Sequence, residues 1–164
     1  MMIRIGEAIP KDALKPLYDM LSKITIRLVA ASKSRSGFGK HRSMTFGLTK
    51  YRYKGRGLQM SAATKQYHDV HQAIFEVGQS FCPHPFTSVH LNHNVSCPPH
   101  IDGNNNGEST IISFGDYTGG NLVIENTIFN ACLTPITFNG AELWHWNTDD
   151  LTGNKFSMVF FNMH

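Results

Sequence analysis

Between Asp19 and Asp69 the chain has no acidic residue, although 11 of its 15 lysines and arginines fall in that interval. From Gln66 onward the balance reverses, and nine acidic residues face one cation, Lys155. An acidic half tolerates a metal dication, while a basic segment either engages a polyanion or forms a solvated surface. Long apolar runs are also missing: nowhere do about 18 apolar residues follow one another, as a membrane span requires. The opening MMIRIGEAIPKDALK has no apolar stretch behind a basic one, so no secretory leader is expected there. These absences predict a soluble, intracellular protein, cytoplasmic or nuclear, with no membrane contact and no obligate protein partner. Cys82, Cys97 and Cys132 are odd in number and form no CxxC pair, which argues against a disulfide framework or a thiolate zinc site. Three buried or free thiols are expected instead.

A chain of 164 residues, 41% hydrophobic, can bury one core without staples, so residues 1–164 are expected to form one domain. Residues 1–80 read as a helical and basic N-terminal part. Leu14, Leu17, Tyr18, Leu21, Ile24 and Leu28 recur near the helical period and predict a helix from residue 12 to about 32. The β-branched run Ile24-Thr25-Ile26 fits a strand equally well. Residues 32–57 read as a basic loop or irregular hairpin with one short strand at 44–46. A second helix is predicted from 64 to about 79.

After Pro85 the pattern changes to short strands cut by turn residues, at 86–95, 99–102, 109–114, 121–126, 127–133, 136–138, 143–146 and 155–161. Eight short strands over residues 85–164 fit a double-stranded β-helix, the cupin-like jelly roll. The predicted fold class is therefore α+β, mainly β, with N-terminal helices against that core.

The chemistry is carried by a few side chains. In a strand, residues two apart share a face, so His100 and Asp102 of the HID stretch can aim at one ion. The HxD spacing alone is weak, since nine His and seven Asp give roughly 0.4 chance occurrences. Downstream, alternation in Leu143-Trp144-His145-Trp146-Asn147 sends both tryptophans to one face and His145 to the other. Two imidazoles and one carboxylate make the facial triad of non-haem Fe(II) oxygenases, which leaves coordination positions open for a keto acid and O2. Lys155 opens the last apolar strand, whose inward set is Lys155, Ser157, Val159 and Phe161. A buried cation needs a partner, and the distal carboxylate of a keto acid would be one, with Ser157 donating to the same group. Alternatively Lys155 snorkels to solvent.

The other histidines carry less. His68 and His71 lack further ligands nearby and read as surface or packing residues, and His90 and His93 should face opposite sides of one strand. His41, His84 and His164 give no signal.

The run NHNVSCPPHIDGNNNGESTIISFGDYTGG at 92–120, with FNGAELWHW at 138–146 and GNKFSMVFF at 153–161, resembles the TET/JBP branch of 2-oxoglutarate oxygenases, in particular its short viral, algal and fungal members. The similarity covers residues 42–164. It implies Fe(II), 2-oxoglutarate and O2 as cofactor and co-substrates, His100 and Asp102 as proximal ligands, and His145 as the distal one. It further implies a place for Asn92 near the iron or co-substrate, and it aligns Asn105, Asn106, Gly107, Ser109 and Thr110 with the stretch that follows HxD in that family. The activity implied is hydroxylation of the methyl group of 5-methylcytosine or thymine in nucleic acid, releasing succinate and CO2. Lys155 stands where the family usually has arginine, which exchanges a bidentate fork for a point charge; Arg42 is the fallback for that role.

Arg52, Lys54 and Arg56 are the candidate phosphate contacts within the acid-free stretch, with Phe38, Phe46, Tyr51 and Tyr53 interleaved for stacking. Two other readings stand beside this one. The first is a prolyl or other side-chain hydroxylase of the same fold, since small enzymes of that kind use lysine at the Lys155 position. The second is a metal-binding cupin-like module without turnover.

Overall fold

The N-terminal third follows its local signals only in part. The computed structural model describes residues 2–26, 28–30, 40–51, 57–103 and 105–163. After strand β1 (Arg4–Ile5) and a 3-10 turn (Lys11–Leu14), helix α1 (Lys15–Ser22) starts with Pro16 in its first turn, where a missing N–H costs nothing. The predicted helix to residue 32 stops at Ser22, and strand β2 (Leu28–Ala30) follows the β-branched run. Branching at Cβ crowds the preceding helical turn and favours the extended chain.

The second predicted helix is two helices, α2 (Ala62–Gln66) and α3 (His68–Phe81). They part at Tyr67, whose φ of −120° and ψ of 57° are not helical. Ser61 caps α2 by accepting the Thr64 N–H at 3.1 Å.

The remaining elements are β3 (Lys40–Tyr51), β4 (Gly57–Met60), β5 (Ser88–His93), β6 (Ser109–Thr118), β7 (Leu122–Ile124), β8 (Thr127–Phe129), β9 (Ile136–Phe138), β10 (His145–Asn147) and β11 (Thr152–Phe161). The large sheet runs β1-β9-β6-β11-β5-β3-β2, with β4 added to β3, and the small sheet runs β10-β7-β8. All of these pairs are antiparallel. The short strand expected at 44–46 is thus the middle of a 12-residue strand. Gly47 (φ 87°) marks where β3 leaves β5 for β4, and a Cβ there would meet the Thr87 carbonyl oxygen at 2.2 Å.

Alternation divides the large sheet into two faces. Phe46, Val89, Leu91, Ile112, Phe114, Phe156, Met158 and Phe160 pack against Leu14, Leu17, Leu21, Val70 and Ile74 of the helical layer. On the opposite face Ser43, Asn92, Ser157 and Ser113 stand in register across four strands. That face is covered by the small sheet through a second apolar cluster of Leu122, Ile124, Ala131, Ile136 and Phe138. Helices, large sheet and small sheet form three layers. This is the mainly β jelly roll with N-terminal helices.

Several predicted strands shrink, among them 86–95 to Ser88–His93 and 121–126 to Leu122–Ile124. Residues 99–102 form no strand, because Pro98 and Pro99 lack the N–H groups a ladder would use; His100 instead makes one isolated antiparallel bridge to His145. Residues 127–133 form a strand only over Thr127–Phe129, after a two-residue turn in which Glu125 (φ 46°) and Asn126 (φ 71°) both take positive φ, and Cys132 makes one isolated parallel bridge to Ser113. No helix among the described residues is long and apolar enough to cross a membrane.

Candidate active site

The three predicted metal ligands are brought together by backbone bonds rather than by a shared strand. His100 and His145 exchange two N–H···O bonds of 3.1 Å, which places their side chains on one side with ring centroids 4.2 Å apart. The Asp102 N–H donates to the Gly140 carbonyl at 2.8 Å and holds the carboxylate in the same space. Asp102 Oδ1 lies 3.6 Å from His100 Nε2, and Oδ2 lies 3.1 Å from His145 Nε2. One ligand atom from each residue falls within 4.8 Å of the others. Gly140 leaves room here, since a Cβ would come within 3.4 Å of both Asp102 Oδ2 and the His145 ring.

Each imidazole is oriented by its other nitrogen. His100 Nδ1 is 2.8 Å from the Pro98 carbonyl and His145 Nδ1 is 2.8 Å from the Leu143 carbonyl. A carbonyl only accepts, so both Nδ1 atoms carry the proton and both Nε2 lone pairs turn to the centre. Two imidazole nitrogens and a carboxylate thus meet nearly out of water, at 6% and 3% exposure for the histidines, an arrangement that can hold a cation. The donor set fits a ferrous ion, which His100, Asp102 and His145 would hold.

Lys155 is buried at 4% exposure. Its ammonium donates to the Gly120 carbonyl at 2.7 Å and sits 5.5 Å from the centre of the Tyr117 ring. No carboxylate among the described residues lies within ion-pair distance of it. Burial lowers its pKa from the usual lysine value, partly opposed by the nearby thiols of Cys97 and Cys132. The carbonyl takes one of three ammonium hydrogens, so the group is positioned to meet an anion.

Tyr117 and Ser113 are pocket residues that the sequence reading missed. The Tyr117 hydroxyl interacts with the side chains of Cys132 and Ser113, and burial is the main cause that pushes its pKa upward, so the phenol stays protonated. Their only signal in the sequence is position on β6, opposite the β11 segment that carries Lys155 and Ser157. The turn whose carbonyl holds Lys155 is fastened by Asp150, which accepts the Gly120 N–H at 2.9 Å and the Thr148 hydroxyl at 2.6 Å.

Ser157 and Asn92 pair across β11 and β5, and Asn92 Oδ1 accepts from the Ser43 hydroxyl at 3.0 Å. Asn105 closes a turn onto the Asp102 carbonyl and donates its side-chain amide to Ser109 at 3.1 Å, while the Asn106 N–H bonds the Asn162 carbonyl. Arg42 reaches the Ile26 carbonyl at 3.0 Å, away from the pocket face occupied by its neighbour Ser43. Arg52, Lys54 and Arg56 lie outside the described residues, as do Phe38 and Tyr53, and the side chain of Tyr51. His90 meets Thr45 at 3.0 Å and His93 stacks on Phe156 at 4.5 Å, on opposite faces of β5. His71 packs on Phe75 at 4.2 Å.

No protein-family model matches the chain, and no curated protein matches it. Solved structures do. NgTET1 in complex with 5-methylcytosine DNA superposes with a TM-score of 0.67 at 13% identity, over 98% of this chain and 72% of that one. A prolyl-4-hydroxylase from Pseudomonas putida gives 0.55 at 11% identity, over 99% and 92%. A 2OG-Fe(II) oxygenase-family oxidoreductase from Burkholderia pseudomallei gives 0.57 at 15%, over 97% and 84%. OsALKBH1 gives 0.57 at 10%, over 98% and 96%. The chain therefore has the fold of the 2-oxoglutarate/Fe(II) oxygenases, and it carries a buried His-Asp-His cluster.

Proposed function

We propose that the chain is an Fe(II)- and 2-oxoglutarate-dependent dioxygenase of TET/JBP-like type that hydroxylates the methyl group of 5-methylcytosine or thymine in nucleic acid. The observation that carries this reading is a buried His-Asp-His cluster together with a buried lysine, Lys155, that has no carboxylate among the described residues within ion-pair distance. His100, Asp102 and His145 would hold iron, which supplies oxygen activation coupled to decarboxylation of the keto acid. Lys155 would receive the distal carboxylate, helped by the hydroxyls of Ser157 and Tyr117, and Asn92 would shape the floor between that carboxylate and the metal. Lys155 is nearly out of water, which would strengthen that contact.

Three observations support a nucleic-acid substrate. The sequence resembles the TET/JBP branch, the structure with the highest TM-score of the four holds 5-methylcytosine DNA, and the acid-free stretch offers Arg52, Lys54 and Arg56 for phosphates. Asn105 and Asn106, on the loop after Asp102, are the proposed base-side contacts. A base in a duplex must leave the stack to reach such a pocket. A second reading, a prolyl or other side-chain hydroxylase, is favoured by Lys155 in place of arginine and by the near-complete mutual coverage with the P. putida enzyme.

The test is mass spectrometry of nucleosides from 5-methylcytosine- and thymine-containing DNA, and of proline-rich peptides, after incubation with Fe(II), ascorbate and 2-oxoglutarate. An added oxygen on the nucleoside is expected. An added oxygen on the peptide alone would replace the first reading with the second.

A further inference from the structure

On the far side of the large sheet, against the end of α3, a cysteine and a histidine meet outside the pocket. Cys82 Sγ lies 3.4 Å from His84 Nε2 and 3.5 Å from Thr110 Oγ1. His84 Nδ1 lies 2.8 Å from the Pro85 carbonyl, so that nitrogen carries a proton. Nε2 lies 2.8 Å from Thr110 Oγ1, and Thr110 is itself bonded to Thr137 at 2.7 Å. If the thiol proton moves to Nε2, both N–H groups of the resulting imidazolium have acceptors in place, the Pro85 carbonyl and the Thr110 hydroxyl. A neutral ring would use only one of them as a donor. The surroundings thus accommodate the charged ring with both of its N–H groups bonded, and both side chains remain half-buried rather than sealed.

We propose that Cys82 and His84 form a thiolate–imidazolium pair and that Cys82 is a nucleophilic modification site for soft electrophiles, hydroperoxides among them. Nucleophile, base and an acceptor that orients the base follow the arrangement by which thiols are activated elsewhere. In the reaction with a hydroperoxide, the thiolate attacks one peroxide oxygen, an S–O bond forms and the O–O bond breaks. Sulfur loses two electrons, and the departing oxygen takes the proton from His84 and leaves as water or an alcohol. The product is a sulfenic acid.

Electrostatics point the same way. Burial works against ionising Cys82, but hydrogen bonds with His84 and Thr110 outweigh it and bring the thiol below its ordinary value. The hydrogen bond with Cys82 raises His84 against the opposing burial, with help from the Pro85 carbonyl and the charges of Cys82 and Glu108. Glu108 is in turn paired with Arg4, and Thr110 and Thr137, the groups contributed by β6 and β9, are neutral.

The test is competitive alkylation of the full chain with limiting iodoacetamide across a pH series, reading the peptides of Cys82, Cys97 and Cys132 by mass spectrometry. At about pH 6 Cys82 should react at least about tenfold faster than either other thiol, because an ordinary cysteine is under about 1% thiolate there. His84→Gln should return Cys82 to an ordinary thiol profile. Thiolate absorbance in the ultraviolet at the same pH should be present in the native chain and lost in Cys82→Ser, which guards against a variant that fails to fold. Cys82 reacting no faster than its neighbours, or an absorbance unchanged by Cys82→Ser, would overturn the proposal.

Discussion

The His-Asp-His cluster and Lys155, the two ends of the proposed site, are built in opposite ways. His100 and His145 are bonded to each other through the backbone and to carbonyls through Nδ1, so their Nε2 atoms face inward before any ion arrives. Lys155 is held by one carbonyl and an aromatic face, and its surroundings disfavour its charge. One end is rigidly tied. The other is less tied and short of an anion. A chelating keto acid with a second carboxylate satisfies both at once, which is why the difference between the two ends points to one ligand rather than two.

The largest effects should come from the rigid end. His100→Ala, Asp102→Ala and His145→Ala should each abolish iron-dependent turnover while circular dichroism and thermal melting stay near those of the parent chain. Asp102→Ala is the sharpest, since it removes the one anionic donor. Substantial turnover in any two of the three would break the assignment.

At the other end the loss should be graded. Lys155→Ala should raise the KM for 2-oxoglutarate on the order of 10- to 150-fold, the equivalent of about 1.5–3 kcal/mol for a charge-assisted contact, with a smaller change in kcat at saturation. An unchanged KM would place the carboxylate elsewhere. The basic stretch should be separable from both ends. Affinity for nucleic acid should fall with salt, each phosphate contact contributing about −0.7 to −0.9 to the log–log slope, and replacing Arg52, Lys54 and Arg56 by Ala should flatten it by roughly two units while keto-acid binding is unchanged. A slope untouched by the triple change would favour a peptide substrate.

The smallest effect sharpens the contrast without any ligand. Because the folded-state pKa of Lys155 lies below its unfolded value, its charge costs stability wherever both states are protonated. That cost is relieved as pH rises through the folded value toward the ordinary one. Lys155→Met should therefore be as stable as the parent or more so near about pH 7, and should lack the parent's gain in stability toward about pH 10. Denaturant melts at the two pH values check both statements, and a large loss on Lys155→Met would show that the ammonium is satisfied by the protein alone.

The sequence made the ligands legible for a reason that differs from the geometry. The HID stretch reads as a strand because residues two apart would share a face, yet two prolines prevent a strand and one bridge to His145 sets the rings. The convergence of His100 with His145 was visible only as residue types at a plausible distance in sequence. Lys155 and Ser157 were legible through simple alternation in β11, which holds along the strand. Tyr117, Ser113 and Gly120 were not, because strand register and the return of a turn over its neighbour are tertiary facts. His84 gave no signal for the same reason: its partner Thr110 comes from a strand 26 residues away. Helix ends failed where local period and β-branching competed, at residues 23–26, and where one residue, Tyr67, left helical φ and ψ.

The central claim is that metal and keto acid meet in one pocket through the His-Asp-His cluster and Lys155, and anaerobic titration tests it most directly. Fe(II) and 2-oxoglutarate added together to the full chain should produce a visible metal-to-ligand charge-transfer band. The band should be absent with either component alone, lost in Asp102→Ala, and recovered in Lys155→Ala only at raised keto-acid concentration. Absence of the band at saturating iron and keto acid, or its persistence in Asp102→Ala, would contradict the account.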